Sequence, residues 1–201
     1  MVGEQLRARG IVDRRVVDAM ARVPRELFVD EKDADLAYAD MPLRIGFGQT
    51  ISQPYMVALM CQEADVGEGE HVLDIGTGSG YQAAVLAAMG ADVHSVERIP
   101  ELAERARRNL ERAEYDVSVH VRDGSLGLPE EAPFDAVTVA AAAPDVPWSL
   151  YEQLAPGGRL VVPVGGPDGQ RLEVVTRSEE GPAVSRSVPC RFVPLVGAEG
   201  Y

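Results

Sequence analysis

From Val72 onward the chain alternates short apolar runs with stretches of helix-forming residues. The runs 71–75, 92–96, 117–121, 135–140 and 159–164 have the length of strands and are rich in Val, Ile and Leu. Between them, 81–89, 101–113 and 148–154 read as helices, and Pro100 suits the first turn of the second. Strands alternating with helices predict βαβ units, hence a mostly parallel, doubly wound sheet with helices on both faces: a Rossmann-like α/β fold. The segments 171–177 and 184–192 have β character on either side of a turn at Gly181-Pro182. They are expected to add antiparallel strands at one edge.

The first 65 residues follow a different pattern. Residues 1–30 read as helices. Asp13 is the expected N-cap of a run that places Val16, Val17 and Met20 on one face, and Pro24 stops that run. Residues 38–54 are punctuated by Pro42, Gly46, Gly48 and Pro54 and read as irregular. Ile45, Phe47 and Ile51 nevertheless predict that this segment is packed. Pro54 suits the first turn of a helix running to about Ala64. The expectation is a single domain over 1–201, with a helical, substrate-side region at 1–65 and the Rossmann-like core with its C-terminal strands at 66–201.

Composition narrows the partners. The 201 residues are 46% hydrophobic and 25% charged, as in globular proteins, with a net charge of -13. That charge repels phosphates, so neither nucleic acid nor an anionic membrane is an expected partner. Cys61 and Cys190 lie far apart, as do His71, His94 and His120 along the chain, and no metal site is expected from their spacing. No apolar segment resembles a signal peptide or reaches the roughly 20 residues of a membrane span. A cytoplasmic monomer is the default expectation.

The candidate chemistry begins where the first core strand ends. Val72-Leu-Asp-Ile runs into Gly76-x-Gly78-x-Gly80, and a helix follows. Such a strand–turn–helix junction exposes backbone to a nucleotide-like ligand. The dinucleotide fingerprint wants glycine at its sixth place, and Tyr81 stands there instead. Glu97 ends the second strand, 19 residues after Gly78, where a carboxylate can accept hydrogen bonds from both ribose hydroxyls. Asp123-Gly124 follows the third strand, suited to an adenine amino group and a close approach of the ring. Asp74, just before the glycines, disfavours a pyrophosphate and favours a ligand with a cationic amine and a sulfonium. These features point to S-adenosylmethionine rather than a nicotinamide dinucleotide.

Gly48-Gln49-Thr50-Ile51-Ser52-Gln53-Pro54, Asp74-Ile75-Gly76-Thr77-Gly78-Ser79-Gly80-Tyr81 and Asp123-Gly124-Ser125 resemble the protein-L-isoaspartate O-methyltransferases. So do Pro156-Gly157-Gly158-Arg159-Leu160 and Phe192-Val193-Pro194-Leu195. The glycine motif is shared by many methyltransferases, whereas the Gln49–Pro54 segment is particular to this family. The resemblance implies a class I methyltransferase fold. It also implies methyl esterification of the free α-carboxylate of L-isoaspartyl residues, the first step of repair through a succinimide. S-adenosylmethionine would be the donor, S-adenosylhomocysteine the product, and isoaspartyl-containing proteins and peptides the partners. By the same resemblance Ser52 is the active-site residue. Thr50, Ile51, Gln53, Asp74, Gly76, Thr77, Gly78, Glu97, Arg98, Asp123 and Gly124 line the cofactor region. Ala140 departs from the family, where threonine is common, and Tyr201 stands where tryptophan is common.

Residue chemistry agrees with that activity. A carboxylate nucleophile is already ionised at neutral pH, so catalysis needs positioning more than a base. Ser52 can donate to the substrate carboxylate; it can equally cap the helix that starts at Gln53-Pro54. Ile45–Ile51 and the neighbourhood of Val162–Gly166 are the expected peptide walls. The competing readings are an aspartate O-methyltransferase acting on a dedicated peptide precursor, a nicotinamide-dependent oxidoreductase, and a non-catalytic cofactor-binding protein.

Overall fold

A computed structural model describes residues 1–166 and 168–201. The chain enters through helical turns at Val2–Leu6 and Arg7–Arg9, then helix α1 (Arg14–Arg22). Asp13 caps α1 as expected, its side chain accepting from the Arg15 amide at 2.8 Å. Short 3-10 turns at Arg25–Phe28 and Glu31–Leu36 follow. The segment read as irregular holds a small antiparallel hairpin, β1 (Leu43–Gly46) and β2 (Gln49–Ile51). The glycines and the brevity of each strand hid its pattern. Helix α2 (Pro54–Ala64) starts at Pro54 as predicted.

The core alternates as the sequence indicates. It comprises β3 (His71–Ile75), α3 (Tyr81–Ala88), β4 (Asp92–Glu97), α4 (Pro100–Arg112), β5 (Ser118–Val121), β6 (Phe134–Val139), α5 (Trp148–Glu152) and β7 (Leu154–Val164). β8 (Gln170–Ser178) and β9 (Gly181–Cys190) close the set. The sheet order is β5-β4-β3-β6-β7-β8-β9; β3 to β7 run parallel, and β8 and β9 are antiparallel at the edge. The chain winds from β3 outward to β5, then returns to β6 on the other side of β3. The sheet therefore reverses its order between β3 and β6, where open α/β sheets hold ligands beyond the carboxyl ends of their strands.

The period of two explains the two-faced core. Val72, Val93, Ala136, Val161, Leu172 and Val174 pack with α1 to α4 and the N-terminal turns. Leu73, Ile75, Val96, Val137, Val139, Leu160, Val162 and Val175 pack on the other face with Leu128, Phe134, Leu150 of α5 and Leu195. Strands buried on both faces read as continuous apolar runs, which is why they were legible. No helix among the described residues is long and apolar enough to cross a membrane.

The last residues fold back over this second face. The Leu195 amide donates to Ala142 O at 2.7 Å, and Tyr201 Oη donates to Gly165 O at 2.9 Å. Asp123 is the clasp: its carboxylate accepts from the Ala198 amide at 2.8 Å, the Ser125 amide at 2.9 Å and the Ser125 hydroxyl at 2.8 Å. Partial burial pushes the Asp123 carboxyl upward, but these bonds, from Ala198 and Ser125, outweigh it and hold the group below the ordinary carboxylate range. The stabilisation is fully present above the ordinary value of about 3.9 and is lost as pH falls through the lower folded-state value. Asp123→Ala will therefore speed hydrogen exchange of the Ala198 and Glu199 amides at neutral pH. Unchanged protection there would show that the tail is held by other contacts.

Candidate active site

The glycine loop follows β3 at the point of sheet reversal. Gly76 takes φ +88°, a backbone conformation that side chains resist, and its amide donates to Val96 O at 2.8 Å. Beside it opens a cleft of about 780 Å³, part of it open to solvent. The hairpin and its exit contribute Gln49 to Ser52, β3 and the loop contribute Ile75 to Ser79, β4 and its exit contribute Val96 to Ile99, and Gly124 lies beyond β5. Val57 of α2, Tyr81 and Gln82 of α3, Ala140 and Ala141 after β6, and Val193 to Val196 of the tail complete it.

Most of the residues singled out in the sequence converge here. Thr50, Ile51, Ser52, Gly76, Thr77, Gly78, Glu97, Arg98 and Gly124 all line the cleft. Glu97 is its one carboxylate among the described residues, and it is buried. Its Oε2 accepts from the Gly78 amide at 2.9 Å and its Oε1 from the Ile99 amide at 3.0 Å. Each oxygen keeps a further lone pair, so the group that fixes the loop can also accept from a ligand diol. Thr77 is buried, and its hydroxyl lies 2.6 Å from Ser95 Oγ.

Three expected residues lie elsewhere. Asp74 does not line the cleft; it is fully buried within the sheet under the loop. Gln82 Nε2, Ser95 Oγ and Thr138 Oγ1 donate to its carboxylate at 2.8, 2.9 and 2.9 Å. Burial pushes its carboxyl above the ordinary range, and those three bonds oppose the shift. The direct attraction to a cationic ligand expected of Asp74 is replaced by a structural tie. Strand alternation is the reason: Asp74 shares a face with Val72, toward α3. Asp123 is committed to Ser125 and Ala198, while its neighbour Gly124 faces the cleft. A Cβ on Gly124 would meet Ile75 Cγ2 at 2.7 Å, so the floor there admits only glycine. Gln53 lines a neighbouring pocket instead.

That second pocket adjoins the first through Thr50, Ser52, Ala140 and Val193, which line both. Pro42, Gln53, Met56 and the segment Pro189–Val193 wall the rest, and Arg191 is the one charged side chain in this lining. Val162, expected near a peptide wall, is buried in β7. The second pocket is lined instead by Pro189–Val193, of which 189–192 fall in the run 184–192 expected to form an edge strand. Ala140 brings a methyl group where the family often has a hydroxyl.

Ser52 stands at the junction. It is not the helix cap: α2 is capped by Gln53, with no side-chain capping bond. Among the described residues no hydrogen bond is made by Ser52 Oγ, and the hydroxyl is available to a ligand. Its backbone is held by Arg25, whose Nη2 donates to Ser52 O at 2.8 Å and whose Nε donates to Ala37 O at 2.7 Å. The Arg25 guanidinium is fully buried, 4.6 Å above the Tyr81 ring centre, and burial lowers its pKa. Tyr81 at the missing glycine place thus becomes the platform for the group that holds Ser52. The sequence carried no signal for Arg25, because it lies 27 residues before its partner.

A sequence profile of the family described as protein-L-isoaspartate(D-aspartate) O-methyltransferase matches residues 1–200. A protein-L-isoaspartate O-methyltransferase of Geobacter metallireducens is 53% identical over 203 residues, covering all of this chain and 94% of its own. A second, from Marinobacter nauticus, is 56% identical over 205 residues, covering all of this chain and 93% of its own. A Plasmodium falciparum structure described as a protein-L-isoaspartate O-methyltransferase in complex with S-adenosyl-L-homocysteine superposes with a TM-score of 0.85. It is 28% identical and the match covers 97% of this chain and 96% of that one. The chain belongs to the protein-L-isoaspartate(D-aspartate) O-methyltransferase family.

Proposed function

We infer that this protein transfers a methyl group from S-adenosylmethionine to the free α-carboxylate of L-isoaspartyl residues in damaged proteins and peptides. The observation that carries the reading is the junction at Ser52, where a cleft built for a nucleoside meets a pocket with a single cation. The cleft fits S-adenosylmethionine by its donor and acceptor set: a buried carboxylate at the end of β4, a glycine floor under Gly124 and the loop backbone of Gly76 to Gly78. When bound, that molecule supplies a methyl group on a cationic sulfur.

The protein's part is to position and to exclude water. Glu97 accepts from the ribose hydroxyls while its amide bonds keep the loop in place. Ile75, Val96 and Leu195 offer apolar walls to the base. Neither pocket lining holds a histidine or a lysine, and Glu97 is engaged by two amides. A general base is therefore absent from these linings, as suits a nucleophile with a pKa of about 4. The Ser52 hydroxyl donates to the substrate carboxylate and sets its approach, and Arg191 draws the anion into the second pocket. The methyl ester formed is open to attack by the next backbone nitrogen. Methanol leaves, and the resulting succinimide reopens with water partly to ordinary aspartyl.

The direct test offers labelled S-adenosylmethionine with one peptide in isoaspartyl and aspartyl forms. Label should enter the isoaspartyl form alone; label in neither form would remove the reading. Ser52→Ala should keep cofactor affinity and lose roughly tenfold to a hundredfold in kcat, the worth of one hydrogen bond to a charged group. Wild-type turnover in that variant would take Ser52 out of the reaction. Glu97→Ala should weaken S-adenosylmethionine binding by about 1–3 kcal/mol in calorimetry. Arg191→Ala should raise KM for the isoaspartyl peptide and leave the cofactor Kd in place; an unchanged KM would place the anion elsewhere.

A further inference from the structure

All three histidines of the chain come together on one face of the sheet, although 23 and 26 residues separate them in sequence. The parallel register does this. His71 on β3 pairs with Asp92 on β4, and His94 lies two residues beyond Asp92, on the same face. His94 pairs with Ser118 on β5, and His120 again lies two residues on. The group sits toward the amino ends of the strands, on the order of 10–16 Å from the glycine loop at 3.3 Å per residue.

The polar atoms are arranged around a point that wants positive charge. His71 Nε2 lies 2.9 Å from Glu131 O, a carbonyl that can only accept, so that nitrogen carries the proton. That leaves Nδ1 facing Asp92 Oδ2, 3.2 Å away, where a proton or a metal ion can lie between the two atoms. A third ligand atom, a ring nitrogen of His94, belongs to the same group, and all three atoms lie within 4.8 Å of one another. A proton has no use for a third ligand, whereas a metal ion has.

The His71–Asp92 spacing fits a tetrahedral ion. Ligand atoms about 2.0–2.1 Å from zinc at tetrahedral angles are about 3.3 Å apart, close to the His71–Asp92 separation. The surroundings fit as well. The Glu131 carbonyl orients His71 from behind, as backbone carbonyls orient metal-bound imidazoles. The His71 ring stacks on Phe134 at 4.6 Å and 12°, and His94 stacks on His120 at 5.3 Å and 11°. His94 Nδ1 lies 3.2 Å from His120 Nε2, so the middle imidazole is also held by its neighbour on β5. Asp92 is 70% exposed in its side chain, which leaves water free to complete the coordination.

We propose that His71, Asp92 and His94 form a binding site for a divalent transition metal of the zinc class, separate from the methyl-transfer cleft. Two imidazoles and one carboxylate suit zinc, cobalt or nickel better than calcium or magnesium, which prefer all-oxygen shells. The ion would tie the amino ends of β3 and β4, so its effect falls on stability and not on methyl transfer.

The test uses the full chain without an affinity tag, stripped with chelator, and Co²⁺ or Zn²⁺ as the probe. One metal per chain should bind, with Co²⁺ giving the visible absorption of a tetrahedral site and Zn²⁺ displacing it. Zn²⁺ should raise Tm in a concentration-dependent way. Asp92→Asn and His94→Gln should each weaken Zn²⁺ binding by at least about tenfold while kcat and KM for methyl transfer stay unchanged. Cys61→Ser combined with Cys190→Ser should keep the affinity, excluding the thiols. Absence of stoichiometric binding, or binding indifferent to both ligand variants, would overturn the proposal. If His94→Gln does not fold, the exposed Asp92→Asn decides alone: unchanged affinity there refutes the site. A wild-type chain whose Tm ignores Zn²⁺ would leave only a proton-bridged His71–Asp92 pair, which also refutes it.

Discussion

A carboxylate with no access to water holds the glycine loop from behind. Asp74 takes one hydrogen bond from each of α3, β4 and β6, through Gln82, Ser95 and Thr138. A buried carboxyl group left without partners is costly, and Asp74 has a donor on each of three neighbouring elements. Satisfied by three, it locks the central strand to both neighbouring strands and to the helix that the loop opens. Ser95 passes the constraint on to Thr77 within the loop at 2.6 Å. From the front, Glu97 pins Gly78 and Ile99. The loop backbone is thus fixed before any ligand arrives, and binding need not provide that order.

The acceptor side is held by a different device. The hairpin β1–β2 and the first turn of α2 carry Thr50 and Ser52 to the rim of the same cleft. Arg25 reaches Ser52 O from the N-terminal region while stacked over Tyr81 at the start of α3. Arg105 of α4 donates to Ile45 O at 3.2 Å and to Asp30 at 2.7 Å, so the hairpin is also tied to the core. The N-terminal region therefore behaves as part of the site and not as an appendage to it. Positioning on this scale is what a reaction between a ready nucleophile and a ready electrophile requires.

The opposite end of the sheet shows how the same register can gather other chemistry. Three histidines that look scattered in the chain fall into one row across β3, β4 and β5 because parallel strands place equivalent positions side by side. Linear spacing is informative for metal ligands on one helix or one loop. It is silent when each ligand comes from a different strand.

The sequence by itself determined the alternation of strands and helices, the cap at Asp13, the start of α2 at Pro54, the glycine turn and the carboxylate of Glu97. Each of these is local: a run of apolar residues, a proline, a glycine or a residue at the end of a strand announces itself within a few positions. Tertiary structure alone decided that Asp74 faces the core, that Asp123 clasps the tail, that Arg25 holds Ser52 and that Pro189–Val193 walls the second pocket. Those outcomes depend on which face of a strand a residue takes once the sheet is assembled, and on partners 8 to 75 residues away. A period of two says that neighbours point apart; only the packed helices say which side is dry.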